Sequence, residues 1–202
     1  MSTRAGIIAG MAAPEPLPTD EDLMLAYAAG QADAFAPLYD RNRQRLWRYL
    51  FRNTGSAALA EDLSQDVWFA VVDSAPRYQV RSKFSTWLFT LAHHRLIDHW
   101  RRHRVEISLS DDSEESQRLA DSLFAASGFE PDRQLDRRTA GRLLLQALAE
   151  LPAEQRATFL LQAEADMPLA DIARATQVPV ETAKSRLRYA RAKLREALQV
   201  MA

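Results

Sequence analysis

The sequence predicts an all-α fold made of two small helical domains joined by an acidic flexible linker. Three observations carry this. Apolar residues recur at helical spacing over most of the chain, and no alternating strand pattern of any length interrupts them. Glycine is scarce, 6 in 202 residues, which argues against turn-dense all-β folds and glycine-rich phosphate loops. Between about 105 and 135 the periodicity stops and the chain becomes rich in serine and acids, the composition of a linker.

The elements follow in order. Residues 1–19 are expected to be a disordered tail, since Pro14, Pro16 and Pro18 keep its end extended. Met11 is as plausible a start as Met1. Thr19-Asp20-Glu21-Asp22 offers a cap and first-turn acids for a helix to about Ala29, which Gly30 ends. A second helix is predicted from about Ala32 to Arg52, with Phe35, Leu38, Tyr39, Leu46, Tyr49 and Leu50 on its buried side. Asn53-Thr54-Gly55-Ser56 is a turn, and a third helix runs from Ala57 to Ser74, before Pro76. Phe84, Trp87, Leu88, Leu91 and Ala92 mark one face of a fourth helix reaching about Arg102. Leu119, Leu123 and Phe124 have the spacing of a short helix inside the linker. The helical pattern returns from about Asp132 through Leu143, Leu144, Ala147, Leu148 and Leu151, and Pro152 opens a helix carrying Phe159, Leu160 and Leu161.

The last elements form a motif. Leu169 to Ala175 is a short helix, Thr176-Gln177-Val178 a tight turn, and Pro179 stands near the first position of a longer helix. That helix has Ala183, Leu187, Ala190, Leu194 and Leu198 on one side and basic residues on the others. A short helix, a three-residue turn and a basic helix make a helix-turn-helix, whose second helix can enter a major groove. Lys184 and Arg188 are placed to donate to guanine or phosphate, and Glu181 to accept from cytosine.

The net charge of −1 conceals a strong pattern. From Arg77 to Arg104, seven basic residues face Asp98 alone, a local charge of +6, and all four histidines lie there. From Val105 to Asp136 the balance is −7, and from Val180 to Ala202 it is +4. Two basic segments on separate domains are the footprint of a polyanion partner. In the first, Phe84-Ser85-Thr86-Trp87-Leu88-Phe89 follows a basic loop, and cations beside aromatics suit single-stranded nucleic acid. Phe84, Trp87 and Leu88 share a face and are expected in the core. That leaves Lys83, Ser85 and Thr86 facing solvent, with Arg77, Gln79 and Arg81 in the loop before them.

Composition excludes other classes. Without cysteine there are no disulfides, thiol nucleophiles or Cys-ligated metals. His99 and His103 stand at i, i+4 but have no supporting ligand motif, so no metal and no cofactor is expected; histidines on a basic helix donate to phosphates. No nucleophile–base pair or phosphate loop suggests an enzyme. No apolar run approaches a membrane span, and the start is too short for a secretory signal, so no membrane insertion and a cytoplasmic location are expected.

Six stretches, in order, resemble the bacterial RNA polymerase sigma factors of the sigma-70 family, extracytoplasmic-function (ECF) type. They are Asp33-Ala34-Phe35-Ala36-Pro37-Leu38-Tyr39, Ala60-Glu61-Asp62-Leu63-Ser64-Gln65-Asp66-Val67-Trp68, Phe84-Ser85-Thr86-Trp87-Leu88, Ile97-Asp98-His99-Trp100-Arg101-Arg102, Leu151-Pro152-Ala153-Glu154-Gln155-Arg156 and Ala183-Lys184-Ser185-Arg186-Leu187-Arg188-Tyr189-Ala190-Arg191. The resemblance implies sigma domain 2 over 20–104, a linker over 105–135 and sigma domain 4 over 136–202. It implies a non-enzymatic factor that binds core RNA polymerase and directs promoter recognition, −10 melting and transcription initiation. Glu61, Asp62, Gln65 and Asp66 would dock on the clamp helices of the largest polymerase subunit. Gln79, Arg81, Lys83, Ser85, Thr86, His94, Arg95, Asp98, Arg101 and Arg102 would open and hold the −10 element. Glu181, Thr182, Lys184, Ser185, Arg188 and Arg191 would read the −35 element as duplex. Further implied partners are the flap of the second-largest subunit, promoter DNA and an anti-sigma factor. The acidic linker would thread the polymerase or serve as a solubilising tether.

The sequence departs from the family pattern in three places. His93-His94 stands where the family often has Arg-Asn. Gln177 takes the usual glycine of the C-terminal turn, a strained choice if the position needs positive φ. Glu164-Ala165-Asp166 is unusually acidic before the helix-turn-helix. The competing reading is a stand-alone helix-turn-helix regulator, which would have no use for a melting surface or an acidic docking helix.

Overall fold

The computed structural model describes residues 17–107 and 135–199, and among these it contains eight α-helices and no strand. The tail to residue 16, the linker from 108 to 134 with its predicted short helix, and the last three residues lie outside the described residues.

Helix α1 (Asp20–Ala28) opens with a reciprocal cap: the Asp22 N–H donates to Thr19 Oγ1 at 3.1 Å and the Thr19 N–H to the Asp22 carboxylate at 3.0 Å. Gly30, at φ +94°, turns the chain out of it. The predicted second helix begins later than expected: a single 3-10 turn over Ala32–Ala34 precedes α2 (Phe35–Thr54). Its buried face is Leu38, Leu46, Tyr49 and Leu50. Tyr39, expected inside, is 36% exposed, because it lies one residue, about 100° of rotation, from Leu38. Its ring packs 4.9 Å from Trp68 at the surface. Asn42 ties α2 to α1, donating to the Asp20 carboxylate at 2.7 Å and the Leu38 carbonyl at 3.0 Å.

Helix α3 (Ala57–Ser74) is capped by Ser56, whose hydroxyl accepts from the Leu59 N–H at 3.3 Å, and it stops before Pro76. Helix α4 (Phe84–Ile107) runs past the predicted Arg102. Phe84, Leu88, Phe89, Ala92 and Leu96 fill the space between α2 and α3.

The second domain holds α5 (Leu135–Glu150), α6 (Ala153–Ala165), α7 (Leu169–Ala175) and α8 (Val180–Gln199). Arg156 is buried and reaches back to the end of α5, donating to the carbonyls of Ala149 at 3.1 Å and Leu148 at 3.5 Å. These are carbonyls that the helix itself leaves open. The turn between α7 and α8 is as predicted, with Gln177 at φ +55° and the Val178 N–H on the Ala173 carbonyl at 3.0 Å. Pro179 caps α8 rather than occupying its first turn. Ala183, Leu187, Ala190 and Leu194 are buried as expected.

The two domains pack on each other. Helices α5 and α6 lie against α2, and α6 and α7 against α4, so the buried apolar residues form one continuous cluster.

Candidate nucleic-acid interface

The N-terminus of α4 sets the geometry of the predicted −10 surface. The Phe84 N–H at its first turn donates to the Glu21 carboxylate from α1. Tyr78, Phe84 and Trp87 form an edge-to-face cluster under the loop, with Tyr78 and Trp87 centroids 5.0 Å apart. Burial, and then the charges of Glu21 and Asp20, push the Tyr78 phenol up to about 12. Sequence reasoning missed Glu21, since nothing local ties residue 21 to residue 84.

Gln79, Arg81 and Lys83 stand exposed in the loop, and the Gln79 side-chain oxygen accepts both Arg81 N–H groups, at 2.8 and 3.2 Å. Ser85 is half-buried, its hydroxyl 3.5 Å from the Ala165 carbonyl of the other domain. Thr86, expected to face solvent, is buried at 7% exposure. It lies on the inner side of α4 with Phe89 and His93, three and seven residues on. His94, Arg95, Asp98, Arg101 and Arg102 are exposed along the helix.

His93 occupies the buried side of α4, with Nδ1 3.0 Å from the Tyr49 hydroxyl. Burial, then the neighbouring His94 and Arg186, lower its imidazole to about 4. Burial raises the Tyr49 phenol far above its ordinary value, so its hydroxyl keeps its proton. His93 is therefore neutral at neutral pH and shares a hydrogen bond with the Tyr49 hydroxyl through Nδ1.

A cleft of about 440 Å³ lies between the domains; His94, Asp98 and Arg101 of α4 face Gln177 and Arg186 of the second domain across it. Arg186 is held by Glu154 at 3.0 Å. On the far side of α8, Lys184, Arg188 and Arg191 line a separate groove floored by Leu169, Leu187 and Ala192. Glu181 is exposed and 3.5 Å from Lys184; Thr182 and Ser185 are half-buried, and the Ser185 hydroxyl donates to the Thr182 carbonyl at 2.9 Å. The Arg188 guanidinium sits 5.0 Å from the centre of the exposed Tyr189 ring. Arg191 donates to the Gln162 side chain.

Glu61, Asp62, Gln65 and Asp66 form an exposed strip on α3. Phe69, 71% exposed, and Val72 continue it with apolar surface. The residues thus fall into three groups, a strip on α3, a loop and helix face on α4, and a groove along α8. Among the described residues no group of three or more His, Cys, Asp or Glu side chains is placed to hold a metal ion, and no helix is long and apolar enough to cross a membrane.

Comparison with known proteins gives two family matches: Sigma-70 region 2 over residues 38–106 and Sigma-70, region 4 over residues 141–194. The ECF RNA polymerase sigma factor SigL of Mycobacterium tuberculosis is 35% identical, over 85% of this chain and 93% of its own length. The ECF sigma factor SigW of Bacillus subtilis is 26% identical, over 84% of this chain and 91% of its own. Among solved structures, the sigma factor RpoE of Bartonella quintana, in complex with the anti-sigma factor NepR, superposes with a TM-score of 0.62 at 23% identity, covering 82% of this chain and 97% of that one.

Proposed function

Because the chain belongs to the sigma-70 family of RNA polymerase sigma factors, ECF type, we propose how its surfaces divide the work of initiation. The strip Glu61, Asp62, Gln65 and Asp66, extended by Phe69, docks on the clamp helices of the largest polymerase subunit. Acids at its centre suit a basic partner, and a large exposed aromatic gives the desolvated anchor that such interfaces use.

The loop from Gln79 to Lys83 and the face of α4 holding His94, Arg95, Asp98, Arg101 and Arg102 take the −10 element. Melting a duplex costs a few kcal/mol per extruded base. Cations on the exposed phosphates and a pocket for an unstacked base offset that cost, so the protein performs no covalent chemistry. Thr86 has no direct role in this reading. The α8 groove takes the −35 duplex, with Lys184, Arg188 and Arg191 donating and Glu181, Thr182 and Ser185 near the entering end of the helix. The flap of the second-largest subunit positions this domain. An anti-sigma factor is the proposed regulator, as the partner bound to the structurally similar RpoE suggests.

The observation that carries this reading is an acidic, apolar docking strip and a basic strand-holding face in one domain, which a stand-alone regulator would not need. The test is permanganate footprinting on a promoter. Thymines near −10 should become reactive only with the chain and core polymerase together. Reactivity with core alone, or none with both, contradicts the assignment.

A further inference from the structure

Glu164 opens the acidic triplet that stands out before the helix-turn-helix, and the structure gives it a partner set in the other domain. Its side chain is 6% exposed. Arg48 of α2 donates to one carboxylate oxygen at 2.9 and 3.1 Å, and Arg52 donates to the other. Arg45 donates to the Glu164 backbone carbonyl at 2.7 Å, and the Ser85 hydroxyl lies 3.5 Å from the next carbonyl, Ala165. These carbonyls end α6, where no following turn pairs them and cations are favoured. Arg45, Arg48 and Arg52 are spaced three and four apart, on one face of α2. The first domain thus supplies the C-terminal cap of a helix in the second.

We infer that this Arg45–Arg48–Arg52 grip on Glu164 is an intramolecular latch that holds the free chain closed and must release before promoter DNA can be engaged. The closed arrangement puts His94, Asp98 and Arg101 against Gln177 and Arg186 across one cleft. Elements centred near −10 and −35 lie about 25 base pairs, roughly 85 Å, apart at ~3.4 Å per pair. A chain with α4 packed on α6 and α7 cannot span them. The 27 residues from 108 to 134 reach at most roughly 90 Å, so the covalent connection permits the opening. The closed state lowers apparent affinity for core polymerase by the fraction of open chain. The need to open for promoter DNA and this last consequence rest on the sigma factor reading; the grip that holds the free chain closed does not.

The chain has no cysteine, so Q31C and K193C, both exposed, give a clean pair of label sites for a distance measurement on the full chain. The labelled protein should show one narrow distance distribution. Glu164→Lys should broaden that distribution toward longer distances and raise apparent affinity for core polymerase about ten-fold. Arg48→Glu with Arg52→Glu should open it as well, and combining all three changes should close it again, which separates release of the latch from loss of folding. An unchanged distance in Glu164→Lys, or no rescue in the triple variant, overturns the latch. Opening without a gain in core affinity overturns its inhibitory role. Failure of every form to bind core polymerase, with the distances behaving as stated, would contradict the sigma factor reading and leave the latch standing.

Discussion

The Tyr49 hydroxyl meets His93 Nδ1 at 3.0 Å inside the first domain, joining the middle of α2 to the middle of α4. A histidine whose folded pKa is depressed to about 4 binds its proton more readily in the unfolded chain, whose value is near 6.5. The stabilisation is therefore complete above pH 6.5 and is lost as pH falls from about 6.5 to 4. The shift bounds the effect at about 3 kcal/mol. Urea denaturation of the wild type should show falling stability across that window, and His93→Gln should flatten it. An equal slope in both would assign the acid sensitivity elsewhere.

Arg156 is the only described side chain reaching the Leu148 and Ala149 carbonyls. Its burial lowers its pKa, yet it holds the end of α5. Arg156→Met keeps the volume and takes the side-chain donor from the Ala149 carbonyl, while the Leu148 carbonyl keeps the Leu151 N–H at 3.2 Å, at a cost of about 1–3 kcal/mol. Thermal denaturation should place the loss in the second domain.

Glu21 caps α4 from a distance. Glu21→Gln should lower the Tyr78 phenol from about 12, because it removes the carboxylate with the larger effect of the two that raise it. Ultraviolet titration of the tyrosines reads this directly. Glu21→Ala should in addition destabilise the domain by about 1 kcal/mol, the usual worth of a lost cap.

Arg188→Ala should weaken binding of the −35 duplex by about 1–3 kcal/mol and relax preference at one base pair if the guanidinium leaves Tyr189 for a base edge. Uniform weakening on all sequences, with a shallower salt dependence, would make it a phosphate contact. Asp62→Ala with Asp66→Ala should reduce core polymerase affinity without changing the fold, since both side chains are exposed. Competition against a labelled sigma factor measures this.

Helices and turns were legible where the information is local. Thr19 and Ser56 cap as their positions suggest, and Gln177 adopts the left-handed conformation that a glycine would take more easily. Tyr39 and Thr86 were misplaced because a helical face has soft edges: one step of rotation moves a side chain from core to rim, or the reverse. The strip Glu61, Asp62, Gln65 and Asp66 was singled out only through the family resemblance, and Phe69 was not, because an apolar residue in a helix reads as core until its face is known. The Glu164 grip and the Glu21 cap join residues far apart in sequence. Only the excess of acid before the helix-turn-helix hinted at the first.

The central claim is that this chain confers promoter specificity on core RNA polymerase. The most direct measurement is to add the purified chain to sigma-free core enzyme on the source genome and sequence the 5′ ends of the transcripts. The account predicts discrete start sites that share paired motifs near −10 and −35 and vanish without the chain. No initiation, together with tight sequence-specific duplex binding by the chain alone, would contradict it and make the protein a stand-alone regulator.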